Sequence, residues 1–262
     1  MAKEKIIFFG NGPLAEAAIE VLRRNFEIVF RARDKADLET VKKLKASHPE
    51  IHGVLASFGV MIKEDILELF EPEGILNIHP SLLPKYRGAS PIESAILDGA
   101  TDFSVSVMKL VRAMDAGPIY WQTTLSKLPL DKAEIYKALA VAGAKWIAKN
   151  ISSLPEPVLQ DEKEATFTRK MDKKMAVINP ATESAEEIFR KIVAFIGFPK
   201  TKYAFFGVSC IILEAHIAEV GETAGLVLEC RDGQNIVVDR LQPENRKAMD
   251  AKSFLNGYGK RG

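Results

Sequence analysis

Two cysteines in 262 residues are too few for a disulfide framework or a thiolate metal site. Cys210 and Cys230 show no metal-ligand spacing, and His216 alone cannot complete a ligand set. Both read as buried, reduced thiols, and no metal is expected. Charge of one sign is lacking too. The chain has 36 Lys+Arg against 35 Asp+Glu, a formal net charge of +1. This excludes a globally basic surface for nucleic acid, although a local patch would suffice for a local contact. From Lys163 onward basic residues outnumber acidic ones by 16 to 13, a mild excess. No apolar run reaches membrane-spanning length. Met1-Ala2-Lys3-Glu4-Lys5 leads into a strand with no signal-peptide pattern. The expectation is a cytoplasmic chain with no membrane partner, and nothing demands more than a monomer.

Two chemical motifs are also incomplete. Gly10-Asn11-Gly12-Pro13 opens a strand-to-helix turn, but Ala15 stands where a Gly-x-Gly-x-x-Gly fingerprint needs its third glycine. This makes a dehydrogenase a remote reading. Ser81 lacks the Gly-x-Ser-x-Gly elbow of a hydrolase nucleophile, and a turn-capping serine accounts for it.

What remains is an ordinary soluble composition, 47% hydrophobic and 27% charged, on a chain comfortable for two domains. Ile6–Phe9, Ile28–Phe30, Gly53–Phe58 and Gly74–Ile78 read as strands. Helical stripes separate them: Leu14 to Leu22; Leu38, Val41 and Leu44, with Lys42, Lys43 and Lys45 on the wet face; and Ile66 to Phe70. Such alternation predicts an α/β, doubly wound, mostly parallel Rossmann-like sheet, whose ligands bind beyond the C-terminal strand ends. A helix from Pro91, strands at Phe103–Leu110 and Ile119–Leu125, and a helix from Lys132 to Lys149 complete a domain placed at 1–153. Leu154-Pro155-Glu156-Pro157 ends that helix. Residues 154–178 read as an ordered linker. A second domain, 179–262, starts with a helix from Ser184 to Ile196. Short strands follow at 203–206, 209–214, 225–229 and 235–238, the pattern of a small β-barrel.

The most informative stretch is Asn77-Ile78-His79-Pro80-Ser81-Leu82-Leu83-Pro84, with Asp115 further on. Asn77 and His79 are two apart, so at a strand end they share a face. An amide beside an imidazole can hold a carbonyl oxygen that is becoming an oxyanion. A carboxylate against the imidazole would fix its tautomer and favour its charged form. That set suits acyl transfer. A capping Asn, a satisfied loop His and a solvated Asp fit the same spacing, so both readings stay open on spacing alone.

Asn-x-His, the following Ser-Leu-Leu-Pro, Tyr86-Arg87-Gly88-Ala89-Ser90-Pro91-Ile92 and Met114-Asp115-Ala116-Gly117-Pro118 resemble the signature of the 10-formyltetrahydrofolate-dependent formyltransferases. Thr168-Arg169-Lys170-Met171-Asp172-Lys173-Lys174 is similar to the Lys-rich interdomain segment of the branch acting on methionyl-tRNA. Leu241 to Met249 and Phe254-Leu255-Asn256-Gly257 are similar to the end of that branch's C-terminal domain. The resemblance implies an OB-like second domain, 10-formyltetrahydrofolate as cosubstrate, and charged initiator tRNA as acceptor. It implies direct amine attack through a tetrahedral intermediate, with Asn77 and His79 on the oxyanion and Asp115 assisting proton transfer. Its folate side would comprise Ser57, Phe58, Gly59, Val60 and Met61, then Ser81, Leu82, Leu83 and Pro84, and Val111 and Met114. Its acceptor side would comprise Gly10, Asn11, Gly12, Arg31, Arg33, Arg87 and Lys170. One departure stands out. The tRNA branch usually carries a long basic loop after the second strand, and here Arg31 to Asp37 is all that fills the place. A sugar-nucleotide amine or another small amine is therefore the second acceptor class. Hydrolysis of the folate to formate is a third reading, and a non-catalytic tRNA- or folate-binding module a fourth.

Overall fold

A computed structural model describes residues 3–222 and 224–259. Met1, Ala2 and residues 260–262, which the two expected domains include at their ends, lie outside the described residues, as does Thr223. The chain forms two compact units, one of residues 1–92 and 101–168, the other of residues 93–100 and 169–262.

In the first unit the expected strands form one six-stranded sheet. The strands are β1 (Lys5–Phe9), β2 (Glu27–Ala32), β3 (His52–Leu55), β4 (Ile75–His79), β5 (Phe103–Lys109) and β6 (Ile119–Leu125). Their order is β2-β1-β3-β4-β5-β6. Pairing is parallel from β2 through β4, while β5 runs antiparallel to both of its neighbours. The sheet is thus mixed and parallel-rich. The chain moves outward from β1 to β2, then returns across β1 to β3. The crevice between the β1 and β3 ends is where such sheets take ligands.

Helices cover both faces. On one face Ile7, Phe9, Leu55 and Ile75 pack under Leu38 and Val41 of α2 (Leu38–Ser47) and under Ile66 and Leu67 of α3 (Glu64–Leu67). Phe9 meets Phe58 and Phe70 edge-on, at centroid distances of 5.6 and 5.9 Å. On the other face α1 (Pro13–Asn25) packs against α5 (Lys132–Asn150), which also lies on β4 and β5. Gly143 of α5 permits that approach, since a Cβ there would sit 2.7 Å from Cγ2 of Ile78. Each fully buried Leu, Ile or Phe contributes roughly 1.5–3 kcal/mol.

Two expectations in this unit need correction. The third strand stops at Leu55 rather than Phe58, because Ser57 turns the backbone into the left-handed region at φ 55°. Lys45 is not on a wet face. It is 7% exposed, its ammonium donates to the carbonyls of Pro49 and Ile51, and it stands 4.9 Å over the Phe70 ring. Burial pushes its pKa below the usual lysine range. A long apolar stem lets a helix carry such a lysine inward to satisfy the carbonyls of the turn that follows.

The second unit contains the C-terminal end of α4 (Pro91–Leu97) and α6 (Ala185–Ala194), which a Ser184/Glu187 capping box starts. Its strands are β7 (Lys202–Phe205), β8 (Val208–Ile217), β9 (Leu226–Glu229), β10 (Asn235–Pro243) and β11 (Met249–Asp250). They form an antiparallel sheet of order β11-β10-β8-β7, with β9 also on β10. Ile188, Ile212, Leu228, Ile236, Val238, Leu241 and Phe254 fill its core. β10 runs further than its alternation predicted. The register slips on both sides of Arg240, and a bulge there erases the period-two pattern. The short β11 and the final helix α7 (Ala251–Tyr258) escaped sequence reading. Asp250 caps α7 by accepting from the Ser253 N–H at 2.7 Å. Cys210 and Cys230 are free and buried, and burial raises both thiols' pKa.

Candidate active site

Asn77 and His79 occupy the end of β4, clamped between β3 and β5. Asn77 pairs with Leu55 on one side and Met108 on the other, and His79 pairs with Ser106. Ile78 points the other way, toward α5, so the strand's alternation sends Asn77 and His79 to a common side. Each is only 5% exposed. Both line a cavity of about 610 Å³ at the crevice, within the first unit. That size suits a drug-sized ligand.

Asp115 arrives on the loop between β5 and β6. The loop's neck is tight: the Lys109 N–H donates to Pro118 O at 2.9 Å, and a Cβ on Gly117 would fall 1.8 Å from Lys109 O. Asp115 itself is left-handed, at φ 49°, which turns its carboxylate toward β4. Its Oδ1 lies 3.6 Å from Nδ1 of His79, longer than a hydrogen bond. Its Oδ2 accepts from the Gly88 N–H at 2.8 Å. The far ring nitrogen of His79 is 3.1 Å from the Tyr86 carbonyl. A carbonyl only accepts, so Nε2 carries a proton there, and Nδ1, facing Asp115, is the nitrogen free to exchange one.

The rest of the wall is largely apolar: Leu55, Phe58, Val60, Ile62, Leu110, Val111 and Met114. Met61 and Met114 at the wall are 72% and 61% exposed. The turn from Ser57 through Gly59 to Met61 lies on this wall. Asn11 is there too. Its amide holds the Arg33 carbonyl at 3.0 Å and its N–H donates to Ser57 O at 3.2 Å, which ties the β1, β2 and β3 ends together.

Other expected site residues do not line the cavity. Ser81, Leu82, Leu83 and Pro84 form a turn pinned to the sheet. The Ser81 hydroxyl donates to Lys85 O at 2.7 Å, Ser106 Oγ donates to Ser81 O at 2.6 Å, and Gln122 donates to Leu83 O at 2.8 Å. Their job is to shape the loop after His79. Gly10 and Gly12 form the turn beneath Asn11, and a Cβ at Gly10 would strike Ala56 O at 1.8 Å. Arg31 is turned inward, donating to Gly10 O at 2.9 Å and to Glu16 at 2.6 Å. Arg33 is exposed, and so is Lys170 in the second unit. Arg87 is corrected most clearly. Its side chain is 3% exposed and grips Glu162 with two bonds of 2.8 Å and Gln160 at 2.8 and 3.1 Å. A guanidinium so held is not presented to a phosphate. Sequence reading missed Tyr136 on the wall and Gln160 behind it. Tyr136 gave only a helix-stripe signal, and Gln160 lay in a segment without periodicity.

Among the described residues no group of three or more His, Cys, Asp or Glu side chains could hold a metal ion, and no helix is long and apolar enough to cross a membrane. Two family models match the chain. The model described as formyl transferase matches residues 5–151, and that of the formyl transferase C-terminal domain matches residues 170–259. The chain belongs to the formyl transferase family.

Curated relatives extend the match. A methionyl-tRNA formyltransferase of Dehalococcoides mccartyi is 33% identical over 229 residues, covering 82% of this chain and 72% of that one. That of Thiobacillus denitrificans is 31% identical over 301 residues, covering 97% and 96%. Among solved structures, a HypX variant from Aquifex aeolicus superposes with a TM-score of 0.79 at 18% identity. It covers 99% of this chain, which spans about half (48%) of the HypX chain. An N-formyltransferase from Helicobacter canadensis, solved in complex with folinic acid and dTDP-3-aminofucose, superposes at 0.62 with 18% identity, covering 93% and 100%. The formyltransferase fold thus spans both units.

Proposed function

We propose that this chain transfers a formyl group from 10-formyltetrahydrofolate to the amino group of methionyl-initiator tRNA. The observation that carries the reading is the convergence of Asn77, His79 and Asp115 on one cavity wall, with Asp115 3.6 Å from the imidazole. The relatives named methionyl-tRNA formyltransferase, matched over most of the chain, support the acceptor.

The chemistry follows from what formyl transfer needs. The amine lone pair attacks the formyl carbon, and the carbonyl π pair moves onto oxygen. The Asn77 amide would donate to that oxyanion, and His79 would join it through Nδ1 when that nitrogen carries a proton, since the Nε2–H is held by the Tyr86 carbonyl. The amine then sheds a proton. The bond from carbon to the folate N10 breaks, N10 takes up a proton, and the carbonyl re-forms. Asp115 beside Nδ1 of His79 carries protons between the two nitrogens. The folate, as substrate, would lay its flat ring system against Phe58, Val60 and Ile62, with Met61 and Met114 as adaptable wall residues. No metal and no covalent enzyme intermediate is needed. The second unit, with its short antiparallel strands, is read as OB-like, and with Arg33 and Lys170 it is assigned to the tRNA.

A second acceptor class has one observation in its favour. Between β2 and α2 only residues 33–37 intervene. Asp37 accepts from the Arg33 N–H at 2.6 Å, making this a closed turn rather than a reaching loop. A sugar-nucleotide amine fits a site without such a loop.

The test is formyl transfer from 10-formyltetrahydrofolate to methionine-charged initiator tRNA, beside a no-acceptor control for formate release. Transfer is expected well above the control, falling by roughly 10²–10⁴ in His79→Ala or Asp115→Asn. Folded protein that releases formate without transferring it would move the reading to a hydrolase or to another amine. Silence on both would overturn the enzyme reading.

A further inference from the structure

The loop that carries Asp115 is held from behind by a side chain outside the signature. Gln160 donates one amide hydrogen to Asp115 O at 2.8 Å and the other to Gly117 O at 2.7 Å. Its Oε1 accepts twice from Arg87, which Glu162 anchors in turn. Every hydrogen-bonding position of the amide is engaged, and such an amide has one orientation. Arg87 directly precedes Gly88, whose N–H holds the Asp115 carboxylate. The circuit is closed. One short segment grips the carboxylate through Gly88 and, through Arg87 and Gln160, the carbonyl of the same aspartate. The chain running from Gln160 to Thr168 is laced to that segment by main-chain bonds, Arg87 N–H to Thr166 O and Thr168 N–H to Arg87 O, both 2.8 Å.

We infer that Gln160 is a positioning residue for the transfer reaction, holding Asp115 in its left-handed conformation so that the carboxylate faces His79. The inference rests on the functional reading above. A left-handed non-glycine residue costs of order 1 kcal/mol and persists where its surroundings over-determine it. Asp115 turns at φ 49°, and the two carbonyls bound by Gln160 belong to that residue and to Gly117, at the end of the same turn. Releasing them lets the turn relax, and a shift near 1 Å at a reacting group costs about 10²-fold in rate. Among the described residues lining the cavity the charged groups are Asp115 and Arg112, so no second lining carboxylate can stand in for a displaced Asp115.

Gln160→Glu separates positioning from simple support. A carboxylate keeps and strengthens the grip of Arg87 but cannot donate to carbonyls, and it repels them. The expected result is a roughly 10- to 100-fold fall in kcat with KM for the folate changed less than about threefold, in a protein whose Tm is nearly that of wild type. Amide exchange at Gly88, measured without substrate, is expected to rise at least about tenfold as the carboxylate leaves it. In an Asp115→Ala background Gln160→Glu should cause no further loss of kcat. Gln160→Met, which fills the volume but also cannot bridge, gives the same readouts should the charge disturb folding. Wild-type kcat and Gly88 protection in both variants would overturn the inference. So would losses that multiply with Asp115→Ala. If the wild-type protein transfers no formyl group, the functional reading fails, while Gly88 exchange still decides whether Gln160 positions Asp115.

Discussion

At the scale of single residues, placement changes what a side chain is for. Arg87 and Arg31 look on paper like free cations for an acidic acceptor. In the structure both are used internally, one on Glu162 and Gln160, the other on Glu16 and the Gly10 carbonyl. His216 is the opposite case, read at first only as a lone would-be ligand. Its Nδ1 lies 2.9 Å from Asp239 and its Nε2 3.2 Å from Glu222. These carboxylates, Asp239 first, raise its pKa above the usual histidine value. A raised folded-state pKa means that the native state binds the proton more tightly than the unfolded chain. The stabilisation is full below the unfolded value of about 6.5 and is lost as pH climbs through the raised one. The ring is 42% exposed, so solvent screening keeps the effect within roughly 0–1 kcal/mol. Urea unfolding of wild type and His216→Gln should show wild type ahead at pH 5.5 and the two converging at pH 8.5. A gap independent of pH would contradict the pairing.

Elements show how backbone contacts aim a side chain. The β5–β6 loop is a hairpin connection whose neck needs Gly117, because its Cα sits against the Lys109 carbonyl. Gly117→Ala brings a methyl into backbone that cannot move without parting the strands. Destabilisation of about 2–4 kcal/mol is expected in denaturant unfolding. Formyl transfer should be lost even at temperatures where the protein stays folded, since Asp115 rides on that neck. Normal transfer in a folded Gly117→Ala protein would show that Asp115 is aimed by its contacts on β4 and Gly88 alone. The same logic explains Gly143, where a helix approaches β4 closely behind the site, and Ser106, which threads the loop after His79 onto β5.

For the whole molecule, the question is the size of the acceptor. Its net charge of +1 offers no long-range attraction. An acceptor tRNA would be held by local contacts such as Arg33 and Lys170, both exposed. Two phosphate contacts would lower kcat/KM for the tRNA about tenfold between 50 and 200 mM salt, and each of Arg33→Ala and Lys170→Ala should reduce the slope by about one. Formate release in the absence of acceptor should not respond to either change. A salt-independent rate with tRNA, or a faster rate with a small sugar amine, would favour the second acceptor class.

The strand and helix order of the first unit and the shared face of Asn77 and His79 at a strand end were legible in the sequence. Period-two and period-3.6 patterns report which side of each element is buried, and two residues at i and i+2 must share a face of a strand. The partnership with Asp115 needed the resemblance, since a carboxylate on a loop has no period to read. Tertiary structure alone decided the rest. Whether Lys45 faced water or the carbonyls of the next turn, whether Ser81 to Pro84 lined the cavity or were pinned to the sheet, and whether Arg87 was free or gripped by Gln160 and Glu162 were not written in the local pattern. A residue's local pattern fixes its direction from the backbone, but its partner is set only when distant segments close on it.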